Sequence, residues 1–199
     1  HALQLGIEAF NCESLQEIYV INEMAHVHGL KANVSVRINP DIDAHTHKYV
    51  TTGLYENKFG ISQHEFDKLI DILKKSEHIN FIGLHFHIGS QITRVDEVFA
   101  LECQRVNDIV AYFERNGLRV NNINLGGGLG VDYDDPDENS IADFGTWFRT
   151  ISENIVRRED QTVHVEPGRS LVAQCGTLIS RVLFVKSGET KNFLIMDAG

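Results

Sequence analysis

One unit recurs through this 199-residue chain: a short apolar strand, a turn with glycine or polar residues, and then an amphipathic helix. The unit returns roughly every 40 residues, and such repetition is typical of a parallel sheet covered by helices. The predicted strands span residues 6–10, 34–39, 81–89, 123–127 and 163–166. Because a closed (β/α)8 barrel needs eight such units, the pattern predicts an α/β fold built as an incomplete TIM barrel.

Two of the predicted helices start with a recognisable signal. Ser62 is followed by Glu65, and Ser140 is followed by Asp143, each just ahead of apolar residues at helical spacing. This spacing predicts capping boxes, in which the two side chains satisfy free backbone N–H groups at the helix start.

The pattern changes after Ser170. Segments 177–186 and 191–196 are rich in β-branched and aromatic residues, and a Ser-Gly-Glu-Thr turn signal lies between them. No helical segment separates them, so they predict an antiparallel hairpin. We therefore expect two domains, a partial barrel at residues 1–170 and the start of a C-terminal β domain at residues 171–199.

Composition excludes several classes of protein. The formal net charge is −10 and no basic run offsets it, which argues against a nucleic-acid partner. No apolar run approaches about 18 residues, so no membrane span is expected. The three cysteines are far apart, which indicates reduced thiols in a cytoplasmic protein. Since the chain opens in a helix-like segment and stops in a strand-like one, it is expected to be the central part of a larger protein.

The strand at residues 81–89 has two contrasting faces, because strand side chains alternate. One face carries Ile82, Leu84, Phe86 and Ile88, and the other carries Phe81, Gly83, His85, His87 and Gly89. In a barrel the second face looks into the lumen. Extending the alternation to the neighbouring strands predicts a polar lumen formed by Arg37, Asn39, His85, His87, His164 and Glu166.

Two kinds of site can be built from these residues. His85 and His87, with His164 and Glu166, are possible zinc ligands. Alternatively, three strand ends offer groups that suit a phosphate: Gly89-Ser90, the glycines at 126–128, and Pro167-Gly168-Arg169. The second set favours pyridoxal phosphate, with His87 against its ring and Glu166 at its ring nitrogen. His85 alone is better explained as an interior histidine.

The motifs together resemble the diaminopimelate decarboxylase group of the fold-type III pyridoxal-phosphate decarboxylases, which have an alanine-racemase-type barrel and a C-terminal β domain. The resemblance rests on the segments RINPDIDAHTHKYVTTGLYENKFGI, GLHFHIGSQI, NLGGGLGVDY and EPGRSLVAQCGTL, in this order. It implies decarboxylation of meso-2,6-diaminopimelate to L-lysine, an amino-acid substrate and a homodimer when the protein is complete.

The resemblance also implies roles for individual residues. His87 would stack on the cofactor ring, Glu166 would pair with the pyridine nitrogen, and Arg169 would hold a substrate carboxylate. Phosphate contacts are implied for Ser90, Gly128, Pro167, Gly168 and Arg169.

No catalytic residue is assigned within the chain. The family's Schiff-base lysine lies on a first barrel strand that these residues do not contain, and Lys31 precedes a different strand. The chain alone is therefore expected to be inactive. Three alternatives remain open: a decarboxylase of ornithine or arginine type, a metal-dependent barrel hydrolase that uses His85 and His87, and a non-catalytic relative.

Overall fold

The computed structural model describes residues 1–42, 59–139 and 141–198. Its strands are β1 (Phe10–Cys12), β2 (Ala32–Arg37), β3 (Ile79–His85), β4 (Asn122–Asn124), β5 (Thr162–His164), β6 (Val182–Ser187) and β7 (Asn192–Met196). Its α-helices are α1 (Ala2–Leu5), α2 (Leu15–Val27), α3 (Phe66–Lys75), α4 (Val95–Arg115), α5 (Phe144–Asn154) and α6 (Arg169–Val172).

Strands β1 to β5 form one parallel sheet in the order in which they occur along the chain. Each step to the next strand runs in the same direction, and crossover connections between parallel strands are right-handed, so helices α2 to α5 cover the same face of the sheet. The predicted α/β class with a parallel sheet is confirmed.

The first strand lies later in the chain than predicted. Residues 6–10 were expected to form it, but β1 starts only at Phe10. Gly6 instead ends helix α1 with a φ of 66°, a left-handed conformation that glycine adopts without a steric penalty. The strand therefore reaches the carboxyl edge of the sheet two residues further along the chain.

The helix-covered side of the sheet, here called the apolar face, forms the main core. It carries side chains that are at most 1% exposed: Val34, Val36, Ile38, Leu84, Phe86, Ile88 and Ile123. The predicted apolar alternation in strands 34–39 and 81–89 is confirmed for these positions. The opposite side, here called the polar face, carries Arg37, His85, His87, Asn124, His164 and Glu166.

A β-bulge changes the alternation in the first half of β3. Val34 pairs with Phe81 but Ser35 pairs with Gly83, so Ile82 is an extra residue in the ladder. Phe81 consequently stacks on Phe113 of α4, with ring centroids 6.3 Å apart, on the apolar face. The predicted faces of Phe81 and Ile82 are therefore wrong, whereas those from Gly83 onward are correct.

The helix starts differ from the predicted capping boxes. Ser62 precedes a short 3₁₀ turn and makes no side-chain cap bond. Ser140 lies outside the described residues, and α5 is capped by Asp143, whose carboxylate accepts the Thr146 N–H at 2.9 Å. A serine cap that the sequence reading missed occurs at α2, where Ser14 Oγ accepts the Glu17 N–H.

Three further features concern the C-terminal segment, the cysteines and the helices. Strands β6 and β7 form the expected antiparallel hairpin, separate from the main sheet. Cys12, Cys103 and Cys175 are free thiols. No helix within the described residues has the length and apolar character needed to cross a membrane.

Candidate functional site

The polar face carries a hydrogen-bonded group of three side chains from three adjacent strand ends. Asn124 Nδ2 donates to Glu166 Oε1 at 2.8 Å, and His85 Nε2 lies 3.3 Å from Glu166 Oε2. His85 is buried, whereas 49% of the Glu166 side chain is exposed. Because a carboxylate accepts several hydrogen bonds, Glu166 is fixed from below while its open side can accept one more.

The surroundings of Glu166 and His85 shift the pKa of both groups. Burial alone would raise the pKa of Glu166, but the Asn124 hydrogen bond and the His85 ring together bring it below its ordinary value. Burial lowers the pKa of His85 despite the opposing effect of Glu166. Near neutral pH Glu166 is therefore an anion, and a neutral His85 serves it as a hydrogen-bond donor.

His87 lies one layer nearer the edge of the sheet than His85. Its Nδ1 accepts the Gly127 N–H at 3.2 Å. Burial, followed by the positive charge of Arg37, lowers the pKa of His87. The ring is therefore neutral with its proton on Nε2, and the hydrogen bond from Gly127 fixes the orientation of the imidazole plane.

The three glycines after β4 pack against the ends of both neighbouring strands. A Cβ on Gly126 would lie 2.3 Å from the Phe86 carbonyl oxygen, and one on Gly127 would lie 2.1 Å from the backbone carbonyl oxygen of Glu166. A Cβ on Gly128 would lie 2.4 Å from the Gly89 oxygen. Side chains are excluded at all three positions because they would meet backbone.

The N–H groups of these glycines are used unequally. Gly126 N–H donates to Asn124 Oδ1 at 2.8 Å, and Gly127 N–H donates to His87. Within the described part of the chain, the Gly128 N–H has no acceptor. This donor lies in a cradle that only glycine can form, beside the half-exposed Glu166 carboxylate. These features fit a group that combines a phosphate with a basic ring nitrogen.

Arg169 occupies the β5 side of the same edge. It begins the short helix α6 and follows Gly168, and both residues are exposed. Its Nη1 donates to Gln91 Oε1 at 3.3 Å, which ties the loop after β3 to the loop after β5. The structure therefore brings together the loops that carry Ser90, Gly128 and Pro167-Gly168-Arg169.

Arg37 has a partner that the sequence reading missed. Its Nη1 lies 2.5 Å from Glu13 Oε1, at the end of β1. Glu13 Oε2 also accepts the Gly60 N–H at 3.3 Å, and the guanidinium lies 4.8 Å from the centroid of the Phe59 ring. Arg37 is thus a paired cation whose charge acts on His87 from a distance.

The arrangement of histidines does not resemble a metal centre. Among the residues described, no group of three or more histidine, cysteine, aspartate or glutamate side chains is placed to hold a metal ion. His85 and His87 each use one ring nitrogen in the hydrogen bonds to Glu166 and Gly127.

Three contributors to the site received no role from the sequence. Glu13 was missed because the first strand was placed too early. Asn124 could have been found by the same alternation that selected His85, since it lies on the polar face of β4. Gln91 stands in the quoted HIGSQ motif, but nothing in the local pattern shows that its side chain reaches Arg169.

The chain matches a known family model and several known proteins. Residues 1–173 match the model described as pyridoxal-dependent decarboxylase, pyridoxal binding domain. A diaminopimelate decarboxylase of Bacteroides thetaiotaomicron is 50% identical over 197 residues, which are 99% of this chain and 51% of that protein. The chain therefore spans about half the length of the curated relatives it matches.

Solved structures of similar proteins point to the same family. The crystal structure of a Helicobacter pylori diaminopimelate decarboxylase variant complexed with L-lysine has a TM-score of 0.84 and 39% identity, over 100% of this chain and 48% of that one. The M. jannaschii diaminopimelate decarboxylase in complex with L-lysine has a TM-score of 0.77 and 34% identity, over 98% and 46%. With the family model matching most of its length, the chain belongs to the pyridoxal-dependent decarboxylases.

Proposed function

We propose that these residues form the cofactor-binding part of a diaminopimelate decarboxylase, which converts meso-2,6-diaminopimelate to L-lysine and CO2. The observation that carries this proposal is the Glu166 carboxylate, held as an anion by Asn124 and His85 beside the glycine cradle. The choice of substrate is supported by the names of the relatives and by the L-lysine in two of the similar structures.

Each residue has a physical role in this proposal. Pyridoxal phosphate, when bound, supplies a ring that accepts the electron pair left behind when CO2 departs. Glu166 would hold a proton at the ring nitrogen, and the neutral imidazole of His87 would lie against the ring. The Gly128 N–H and the Ser90 hydroxyl would bind the phosphate together with the turn at Pro167, Gly168 and Arg169.

Arg169 would also orient the substrate. A guanidinium meets a carboxylate with two parallel hydrogen bonds, which fixes both position and direction. The carboxylate held in this way would be the one that the product retains.

We further propose that residues 1–170 belong to a (β/α)8 barrel of the alanine-racemase type and that residues 171–199 begin a C-terminal β domain. The single-sided helical layer and the separate hairpin support this division. The complete protein is proposed to be a cytoplasmic homodimer, in keeping with the resemblance in its motifs.

The test compares Glu166→Gln with Glu153→Gln, an exposed glutamate on α5, in the full-length gene product. Release of CO2 is measured with meso-diaminopimelate, ornithine and arginine as substrates, and formation of lysine is measured with meso-diaminopimelate. We expect the wild type to prefer meso-diaminopimelate. Glu166→Gln should lower kcat by about 100-fold or more, because a neutral amide cannot keep a ring nitrogen protonated. Glu153→Gln should match the wild type.

Two results would contradict the proposal. Preference for ornithine or arginine would assign the chain to another decarboxylase. Full activity of Glu166→Gln would remove Glu166 from the reaction.

A further inference from the structure

Gln91 has an unusual backbone conformation for a residue with a side chain. Its φ is 61°, in the left-handed region, which is sterically unfavourable for a residue that carries a Cβ. Among the described residues, the only other non-glycine residue with positive φ is Asp41. Such a conformation persists where the surrounding contacts hold the residue in place.

The contacts that hold Gln91 are made by its side chain. The amide Nε2 donates to the Val131 carbonyl at 2.5 Å, and Oε1 accepts the Val131 N–H at 3.2 Å. The next residue continues the pairing, since the Ile92 N–H donates to the Gly128 carbonyl and the Ile92 carbonyl accepts the Gly130 N–H, both at 2.9 Å. The loop after β3 is thereby fastened to the glycine loop after β4.

The same amide oxygen accepts a second hydrogen bond, from Arg169 Nη1 at 3.3 Å. Within the described residues, no carboxylate lies within ion-pair distance of Arg169, in contrast to Arg37, which is paired with Glu13. A neutral amide can orient a guanidinium without cancelling its charge. Arg169 is thus held in place and remains available for an external anion.

We propose that Gln91 is a positioning residue, which fixes Arg169 so that its guanidinium faces the carboxylate of an amino-acid ligand. The left-handed backbone turns the Gln91 side chain toward both Val131 and Arg169, which explains why this strained conformation is retained. The inference rests on the proposed function in one respect only, namely that the ligand is an amino acid.

The experiment is a double-mutant cycle in the cofactor-loaded full-length gene product. The variants are Gln91→Met, Arg169→Met and the double substitution, with Gln174→Met as a control. Gln174 is an exposed glutamine whose amide donates to the Pro136 carbonyl. Values of kcat/KM are measured with whichever of meso-diaminopimelate, ornithine or arginine the wild type uses best, so the cycle does not depend on the proposed substrate.

We expect Gln91→Met to raise KM about tenfold while kcat changes less than about threefold, because a positioned charge contributes to ligand binding. In the Arg169→Met background the same substitution should change kcat/KM less than about twofold, since the residue it positions is gone. Gln174→Met should behave as the wild type. An equal effect of Gln91→Met in both backgrounds, or no effect in either, would overturn the proposal.

Two further measurements do not rely on turnover. Calorimetric titration with L-lysine should give a dissociation constant about tenfold weaker for Gln91→Met than for Gln174→Met. Crystal structures of the wild type and of Gln91→Met should differ in the position of the Arg169 guanidinium. An unchanged guanidinium in the variant would refute the assignment even if the wild type proved to use a different substrate.

Discussion

The two faces of the sheet are built from the same strands but are stabilised in different ways. On the apolar face the side chains are chemically alike, since each is an aliphatic or aromatic group buried against the helices. On the polar face most side chains have a specific hydrogen-bond partner, as His85 has Glu166 and Arg37 has Glu13. Volume therefore determines the effect of a substitution on the first face, and hydrogen-bond geometry determines it on the second.

The largest loss of stability is expected on the apolar face, at Phe86. Its side chain is fully buried, so Phe86→Ala should lower the unfolding free energy by about 3–5 kcal/mol. The matched control is Phe148→Ala on α5, where the ring is 49% exposed and the loss should be about 1 kcal/mol. Urea unfolding of the full-length gene product measures both, and equal losses would contradict the role of burial.

A smaller loss is expected at the junction of the two faces, at Gly127. Gly127→Ala places a methyl group 2.1 Å from the Glu166 carbonyl oxygen, so the strand ends must separate, at a cost of about 1–3 kcal/mol. Gly145→Ala in α5 is the control, because the nearest atom there is 3.7 Å away and alanine favours a helix by roughly 0.5–1 kcal/mol. Thermal unfolding should move in opposite directions for the two variants. A Gly127→Ala protein as stable as the wild type would show that the strand ends are looser than the geometry indicates.

A gain in stability is expected at an exception on the apolar side, the Glu102 carboxyl group of α4. It is completely buried, and neither of its oxygens has a partner among the residues described. Burial raises its pKa well above the ordinary value, so the folded protein keeps it protonated. Glu102→Leu should therefore stabilise the fold, by about 1–3 kcal/mol near neutral pH.

The pH dependence gives a second check on Glu102. A raised pKa contributes stability that is fully present below the unfolded value, near pH 4.3, and is lost as pH rises through the folded value. The advantage of Glu102→Leu should accordingly grow from about pH 4.3 upward. Glu102→Gln keeps the shape but cannot titrate, so it should remove the same pH dependence. A constant difference between wild type and Glu102→Leu at all pH values would show that Glu102 does not titrate with folding.

The sequence predicted the two faces because a period of two is encoded locally in each strand. It placed Val36 and Leu84 on one side and Arg37 and His85 on the other, as the structure has them. It was wrong where a distant strand determines which face a side chain takes, since the bulge at Ile82 depends on pairing with β2. The start of β1 was predicted wrongly for another reason, because Gly6 is compatible with both the end of a helix and the start of a strand.

The site was predictable to a similar extent. Glycines, histidine and the EPGR turn at three strand ends are local signals, and parallel strands bring their carboxyl ends to one edge. The partners of these residues are not local: 81 residues separate His85 from Glu166, and 78 separate Gln91 from Arg169. A neutral amide that orients a cation has no sequence signature of its own.

The extra residue at Ile82 reverses the alternation of side chains between the two faces partway along β3. Before it, odd-numbered positions such as Phe81 point to the helices; after it, even-numbered positions such as Leu84 do. This change of parity allows the start of β3 to be fitted to α4 without altering which way its histidines face. The start of β3 is therefore fitted to α4 separately from the positions after the bulge, where Leu84 packs on the apolar face and His85 lies on the polar face.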